Sequence, residues 1–237
     1  MNNYNYYRQG QTIDILQTFS ILMRNVYSWM TLGLLMTALS ALIVAKNENL
    51  MYSIITTPAL MWGCIIAEFA MVFIMSSRIM KMSFPTAGLL FAAYAILNGV
   101  TRSFIFMVYT AESIAQTFFI TAGTFGGMSL LGYTTKKDLS AMGRILYMAL
   151  IGLIIATIVN IFAGFNGLSV ILNYVGVLLF VGLTAYDTQK IKNMLISYSD
   201  AGVTDQTNKL ALLGSLSLYL DFINLFWYLL RLFGDRK

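Results

Sequence analysis

The sequence predicts an all-α integral membrane protein of seven transmembrane helices, with the seventh at the centre and the first six around it. Three observations predict it. Hydrophobic residues make up 58% of the 237 and charged ones only 11%, where a soluble domain carries about 25% charged. The apolar residues gather into seven runs, each near the ~20 residues that a helix needs to cross hydrocarbon. In the last run, residues 210–233, Gly214, Ser217, Asp221, Asn224, Tyr228 and Arg231 follow one another at spacings of three and four. That is one face of a helix. A polar face cannot be shown to lipid, so this helix must turn it toward other helices or enclosed water.

Taken in order, residues 1–25 form a polar N-terminal segment, and 26–237 a single membrane domain. The opening residues lack the basic-then-apolar order of a secretory signal. The first span covers about 26–45. The second covers about 54–75, with Pro58 near its start. The others lie at about 84–109, 114–133, 145–165, 168–186 and 210–233. The gaps are short, so no linker separates domains, and no repeat marks an inverted-repeat transporter.

Positive charge orients the spans. Arg8 and Arg24 precede the first. Arg78 and Lys81 follow the second, Lys136, Lys137 and Arg144 the fourth, and Lys190, Lys192 and Lys209 the sixth. The opposite gaps hold only Lys46, with Glu48 and Glu112. The positive-inside rule makes the basic side, and with it the N-terminus, cytoplasmic. It also accounts for the net charge of +5 without a nucleic-acid partner. The tail runs against it, because Arg231, Arg236 and Lys237 follow the seventh span. Either that span crosses despite its basic tail or it turns back. Its full bilayer length favours crossing.

Helix packing has its own marks. Gly88, Ala92, Ala95 and Gly99 line one face of the third span. Ala122, Gly123, Gly126 and Gly127 lie together on the fourth. Small residues let membrane helices approach closely, so both faces are expected to be packing faces.

Four ionisable residues fall within or at the edge of hydrocarbon: Glu68, Arg102, Asp187 and Asp221. Arg102 either snorkels to the outer headgroups or pairs within the bundle. Asn98 stands one turn before it. Glu68 is deeper and has no such escape. Arg78 lies roughly 15 Å further along the second span. It also reads as an ordinary positive-inside residue. Asp187 ends the sixth run, and alone it reads as a solvated helix-end acid. Asp221 is harder to dismiss, because a central charge in a bilayer costs several kcal/mol by most estimates. The chain has no histidine and one cysteine, Cys64. It therefore has no intramolecular disulfide, and any proton sensing falls to carboxylates.

Two stretches, 185–191 (Ala-Tyr-Asp-Thr-Gln-Lys-Ile) and 218–226 (Leu-Tyr-Leu-Asp-Phe-Ile-Asn-Leu-Phe), resemble the Bax inhibitor-1 family, also called the transmembrane Bax inhibitor motif family. So do 88–94 (Gly-Leu-Leu-Phe-Ala-Ala-Tyr), the following Asn98-Gly99, and Glu68. The likeness covers the second to seventh spans, and the loop lengths resemble bacterial members. The resemblance implies a helix-7-centred bundle acting as a pH-sensitive calcium leak in the cell's inner membrane, with calcium as permeant ion and no cofactor. It places the family's paired aspartates on Asp187 and Asp221, as pH sensor and weak calcium site. It places the arginine latch that closes the path on or next to Arg78.

Two carboxylates close together in low dielectric cannot both ionise cheaply, so they share a proton. Calcium wants six to eight oxygens. The pair supplies at most four, leaving the rest to Asn224, Ser217, backbone carbonyls or water. For the pair to meet, the seventh helix must begin before 210, or the sixth must continue past Lys192 through Met194, Leu195 and Ile196.

The resemblance also allows a second function, an interaction protein that modulates a membrane-bound AAA protease or a cell-stress pathway through the N-terminal segment. An enzyme is not expected. A rhomboid-like protease needs a histidine with its serine, and there is none.

Overall fold

The computed structural model describes residues 3–237, and their side chains except those of residues 3–13, Glu48, Ile55 and Asn166. The start of the polar N-terminal segment therefore lies outside the described residues. Nine α-helices follow among those described: α1 (Asn3–Lys46), α2 (Glu48–Thr56), α3 (Pro58–Arg78), α4 (Phe84–Arg102), α5 (Ile105–Val108), α6 (Ala111–Thr134), α7 (Ser140–Ala163), α8 (Asn166–Ser197) and α9 (Asp205–Phe233). Seven are long and apolar enough to cross a membrane: α1, α3, α4, α6, α7, α8 and α9. The chain is thus the expected all-α, seven-span membrane protein. In α9, 67% of the most apolar stretch is buried, against 6% in α3 and α7, which makes α9 the most enclosed span.

The helix ends follow local chemistry. Proline opens α3, since Pro58 fills a first-turn position where no N–H is needed. Ser83 caps α4 by accepting the N–H of Thr86. Thr204 and Thr207 cap α9 reciprocally, each backbone N–H reaching the other's hydroxyl at 2.8 and 3.2 Å. The α9 helix starts at Asp205, five residues before its apolar run, and α8 continues to Ser197, well past Lys192. Both conditions for bringing the two aspartates together are therefore met. Hydropathy misses these extensions because the added turns are polar: residues 205–209 are Asp-Gln-Thr-Asn-Lys, and 187–193 are Asp-Thr-Gln-Lys-Ile-Lys-Asn. Ile191 and Leu195 are buried while Asn193 and Ile196 are exposed.

Two compact units make up the chain: residues 1–105 with 191–219, and residues 106–190 with 220–237. In the first, the rings of Phe91 and Tyr94 meet Tyr219 edge-on, at 5.8 and 5.7 Å. The Tyr219 hydroxyl lies 2.6 Å from that of Thr37, which donates to the Ala95 carbonyl at 2.8 Å. The small-residue face of the third span packs as expected. A methyl group on Gly99 would lie 2.2 Å from the Thr37 carbonyl oxygen. Lys209 is buried inside α9, bridging Asp205 at 3.0 Å and donating to the Met82 carbonyl at 3.0 Å.

In the second unit, Phe222 packs on Phe118 and Phe125, and Tyr228 stacks on Phe180. Here the expected packing face of the fourth span is corrected. A methyl on Gly123, Gly126 or Gly127 would meet nothing within 4 Å. The buried face of α6 is instead Ser113, Thr117, Thr121, Phe125, Ser129 and Gly132. In lipid a hydroxyl needs a partner and a glycine does not, so the hydroxyls turn inward.

The position of the C-terminal tail agrees with seven crossings. The Asp235 carbonyl accepts the N–H of Thr110 at 3.1 Å, and the N–H of Lys237 reaches the Val108 carbonyl at 3.0 Å. The chain thus ends beside the connection that follows the third span, as an odd number of crossings requires.

Candidate functional site

The acid pair lies within the second unit, and the run Ala185 to Gln189 builds its surroundings residue by residue. At Ala185, α8 comes so close to α6 that a methyl on Gly132 would sit 2.1 Å from the Ala185 carbonyl oxygen. The Tyr186 ring lies over Gly143 of α7, where a methyl would fall 2.2 Å from it. Asp187 accepts the Tyr147 hydroxyl at 3.2 Å. The Thr188 hydroxyl lies 3.1 Å from that of Ser129. Gln189 accepts the Leu139 N–H and donates to the Lys137 carbonyl, both at 2.8 Å, which holds the α6–α7 connection. Contacts at five successive residues leave the Asp187 carboxyl little freedom.

Asp221 enters from α9. It is 4% exposed, and its Oδ2 has no hydrogen-bond partner. Asp187 is 6% exposed. The charges that act on Asp221 are those of Asp187 and Lys190. Two carboxyls are thus enclosed within one unit, and one of them has an oxygen to offer. A proton or a metal cation would satisfy it, whereas an apolar ligand would not. Among the described residues no three His, Cys, Asp or Glu side chains converge to hold a metal. Any cation here would take its remaining oxygens from neutral groups or water.

The other residues singled out by sequence fall elsewhere. Glu68, Asn98 and Arg102 meet in the first unit. Glu68 pairs with Arg102 at 3.7 Å and accepts from Thr101 and, at 3.5 Å, from Asn98. Arg102 therefore pairs as well as lying near a helix end. The Ser217 hydroxyl turns back to the Leu213 carbonyl of its own helix at 3.5 Å. Asn224, one turn after Asp221, is half-buried. Arg78 is exposed at the end of α3 and makes none of the ion pairs among the described residues.

The sequence does not single out Tyr147, whose contact with Asp187 spans 40 residues. Lys190 reads in the sequence only as a loop charge. Lys190 lies in α8, one turn beyond Asp187, and that spacing was the available signal.

Seven helices long and apolar enough to cross a membrane define a multi-pass membrane protein, and two of them, α8 and α9, carry the buried carboxyls Asp187 and Asp221. The family described as Inhibitor of apoptosis-promoting Bax1 matches residues 20–237, and the chain belongs to it. This is the Bax inhibitor-1 family of the motifs above. The chain is 50% identical over 222 residues to "Inner membrane protein YbhL" of Escherichia coli, covering 94% of this chain and 93% of the relative. It is 41% identical over 229 residues to an uncharacterized protein of Deinococcus radiodurans, covering 96% and 95% of the two. An uncharacterized membrane protein of Streptococcus pyogenes is 35% identical over 236 residues, 99% of each chain.

Proposed function

We propose that this protein is a proton-sensitive cation leak of the bacterial inner membrane, with calcium as its cargo and Asp187 and Asp221 as its binding and sensing groups. The observation that carries the reading is the unpartnered Oδ2 of Asp221, enclosed within the bundle beside a second carboxyl. Burying such an oxygen without a partner is costly, and a fold that keeps it retains a place for a cation or a proton. Protons and calcium compete for the same oxygens, so acidity and calcium affinity are linked. Two carboxylates with neutral oxygens bind calcium weakly, and weak binding suits passage.

The membrane assignment follows the name of the Escherichia coli relative, and the cytoplasmic N-terminus follows the loop charges. Cysteine labelling at Lys137 from outside intact cells fails in this orientation. Calcium flux into liposomes across a pH series tests the function. Asp221→Asn loses most of the flux or its pH dependence. Wild-type behaviour of that variant would sink the reading. The same assay tests Arg78 as a latch. Arg78→Lys, which keeps the charge but not the forked donor set, leaks if Arg78 bonds two carboxylates and stays tight if it only orients the chain.

A further inference from the structure

The ammonium of Lys190 is parked. It lies 5.7 Å from the centre of the Tyr147 ring and 6.0 Å from that of Tyr186, and the two rings meet edge-on at 5.9 Å. A cation over an aromatic face is held by the ring's quadrupole. The platform is built for this. Gly143 gives the Tyr186 ring its room, and the Tyr147 hydroxyl is engaged with Asp187, which fixes its ring. Lys190 stands one turn beyond Asp187 on α8, yet it makes no ion pair with Asp187 or Asp221 among the described residues. It is exposed, while both acids are buried. The arrangement is a positive charge tethered outside an acid site and stopped short of it.

We propose that Lys190 sets the cation affinity of the acid pair: a resident competitor, held on Tyr147 and Tyr186, that weakens binding of a free divalent cation at Asp187 and Asp221. This rests on the reading of the pair as a cation site. A divalent ion arriving at the pair meets the repulsion of Lys190 twice over, once for each of its charges. A proton meets it once. The tethered charge therefore penalises calcium more than protons and keeps the site weak. Tyr147 joins the two roles, with its face under the ammonium and its hydroxyl on the acid.

Terbium(III) binding to the purified protein in detergent tests this, read by tyrosine-sensitised emission at fixed pH and low salt. Lys190→Gln is expected to bind terbium at least about threefold more tightly than wild type, as a unit charge several ångströms away implies even at high dielectric. The gain shrinks as salt is raised. Lys190→Arg, which keeps the charge and stacks on rings, retains most of the suppression. Tyr186→Leu removes part of the platform but not the charge, and falls between. Lys192→Gln makes the same change in net charge two residues on, about 200° around the helix, and leaves the affinity near wild type. Asp221→Asn separates the two claims. If it abolishes binding and Lys190→Gln matches wild type, the inference fails and the cation site stands. If Lys192→Gln tightens binding as much as Lys190→Gln, the effect is general surface charge and the inference fails. If Asp221→Asn binds as wild type does, the acid pair is not the site, and the inference falls with that reading.

Discussion

The protein encloses acids in two places, and they are treated in opposite ways. In the first unit both oxygens of Glu68 are engaged: Oε1 by the Thr101 hydroxyl, Oε2 by the Asn98 amide and the Arg102 guanidinium. In the second unit Asp221 keeps an oxygen with no partner, and the nearby cation, Lys190, stands on aromatic rings instead of on the acid. A satisfied charge pair ties helices together, here α3 to α4. An unsatisfied one invites a ligand. On the proposed reading, this difference separates a structural acid from a working one more sharply than burial does.

Stability is the most direct way to break that comparison. Glu68→Ala strands Arg102 in the bundle and is expected to cost about 3 kcal/mol, the low end for a broken buried pair because Arg102 keeps 27% of its side chain exposed. Asp221→Asn removes a buried charge with one unpartnered oxygen, and is expected to fall within about 1 kcal/mol of wild type or to stabilise. Thermal unfolding in detergent measures both. Equal losses would make Asp221 as structural as Glu68. The double variant Glu68→Ala, Arg102→Ala should recover part of the loss, since the uncompensated charge is then gone.

Packing sharpens the comparison at a smaller scale. Gly132→Ala places a methyl against the Ala185 backbone, which cannot give as a side-chain tip would. The expected cost is about 2 kcal/mol, within the range for overpacking. It also shifts α8 two residues before Asp187, so cation flux should fall further than the loss of folded protein explains. Gly127→Ala on the same helix meets open space and should change stability by less than about 0.5 kcal/mol. Flux normalised to folded protein separates the two. If Gly132→Ala keeps wild-type flux per folded molecule, the docking of Ala185 does not position the acid.

Composition and apolar run length suffice for seven helices, because hydrocarbon thickness is a single strong constraint. The polar spacing from Gly214 to Arg231 marks α9 as an enclosed helix, and Asp221 within it as the residue to explain. Other features depend on partners that sequence does not name. The glycines of α6 read as a packing face, yet the hydroxyl face is the buried one, and only the neighbours of α6 decide that. Lys209 reads as a loop charge, but it lies inside α9, where the Asp205 carboxylate and the Met80 and Met82 carbonyls satisfy it. Arg102 leaves snorkelling and pairing open until Glu68 is placed beside it. Tyr147 carries no local signal of its role, because its contact with Asp187 spans 40 residues.

The smallest expected effect bears on where a pH response originates. Asp138 is fully exposed in the α6–α7 connection. The hydroxyl and N–H of Ser140 both donate to its carboxyl, and Arg144 lies near. They hold it below the ordinary aspartate range. A depressed carboxyl contributes stability above its unfolded pKa, and that stability is lost as pH falls through the folded value. Acid therefore loosens the start of α7. Gln189 grips the same connection at Lys137 and Leu139, two residues from Asp187. Acid flux changes thus have two possible sources, this loop and the buried pair. Asp138→Asn keeps an acceptor oxygen for the Ser140 N–H and removes the titration. If the pair is the sensor, the variant keeps the wild-type pH profile of flux and differs only on the far acid side, below the ~3.9 of a free aspartate. A profile displaced near neutral pH in Asp138→Asn would move the sensor to the exposed connection. Asp187 and Asp221 would then keep only the cation-binding half of the proposed function, without the pH-sensing half.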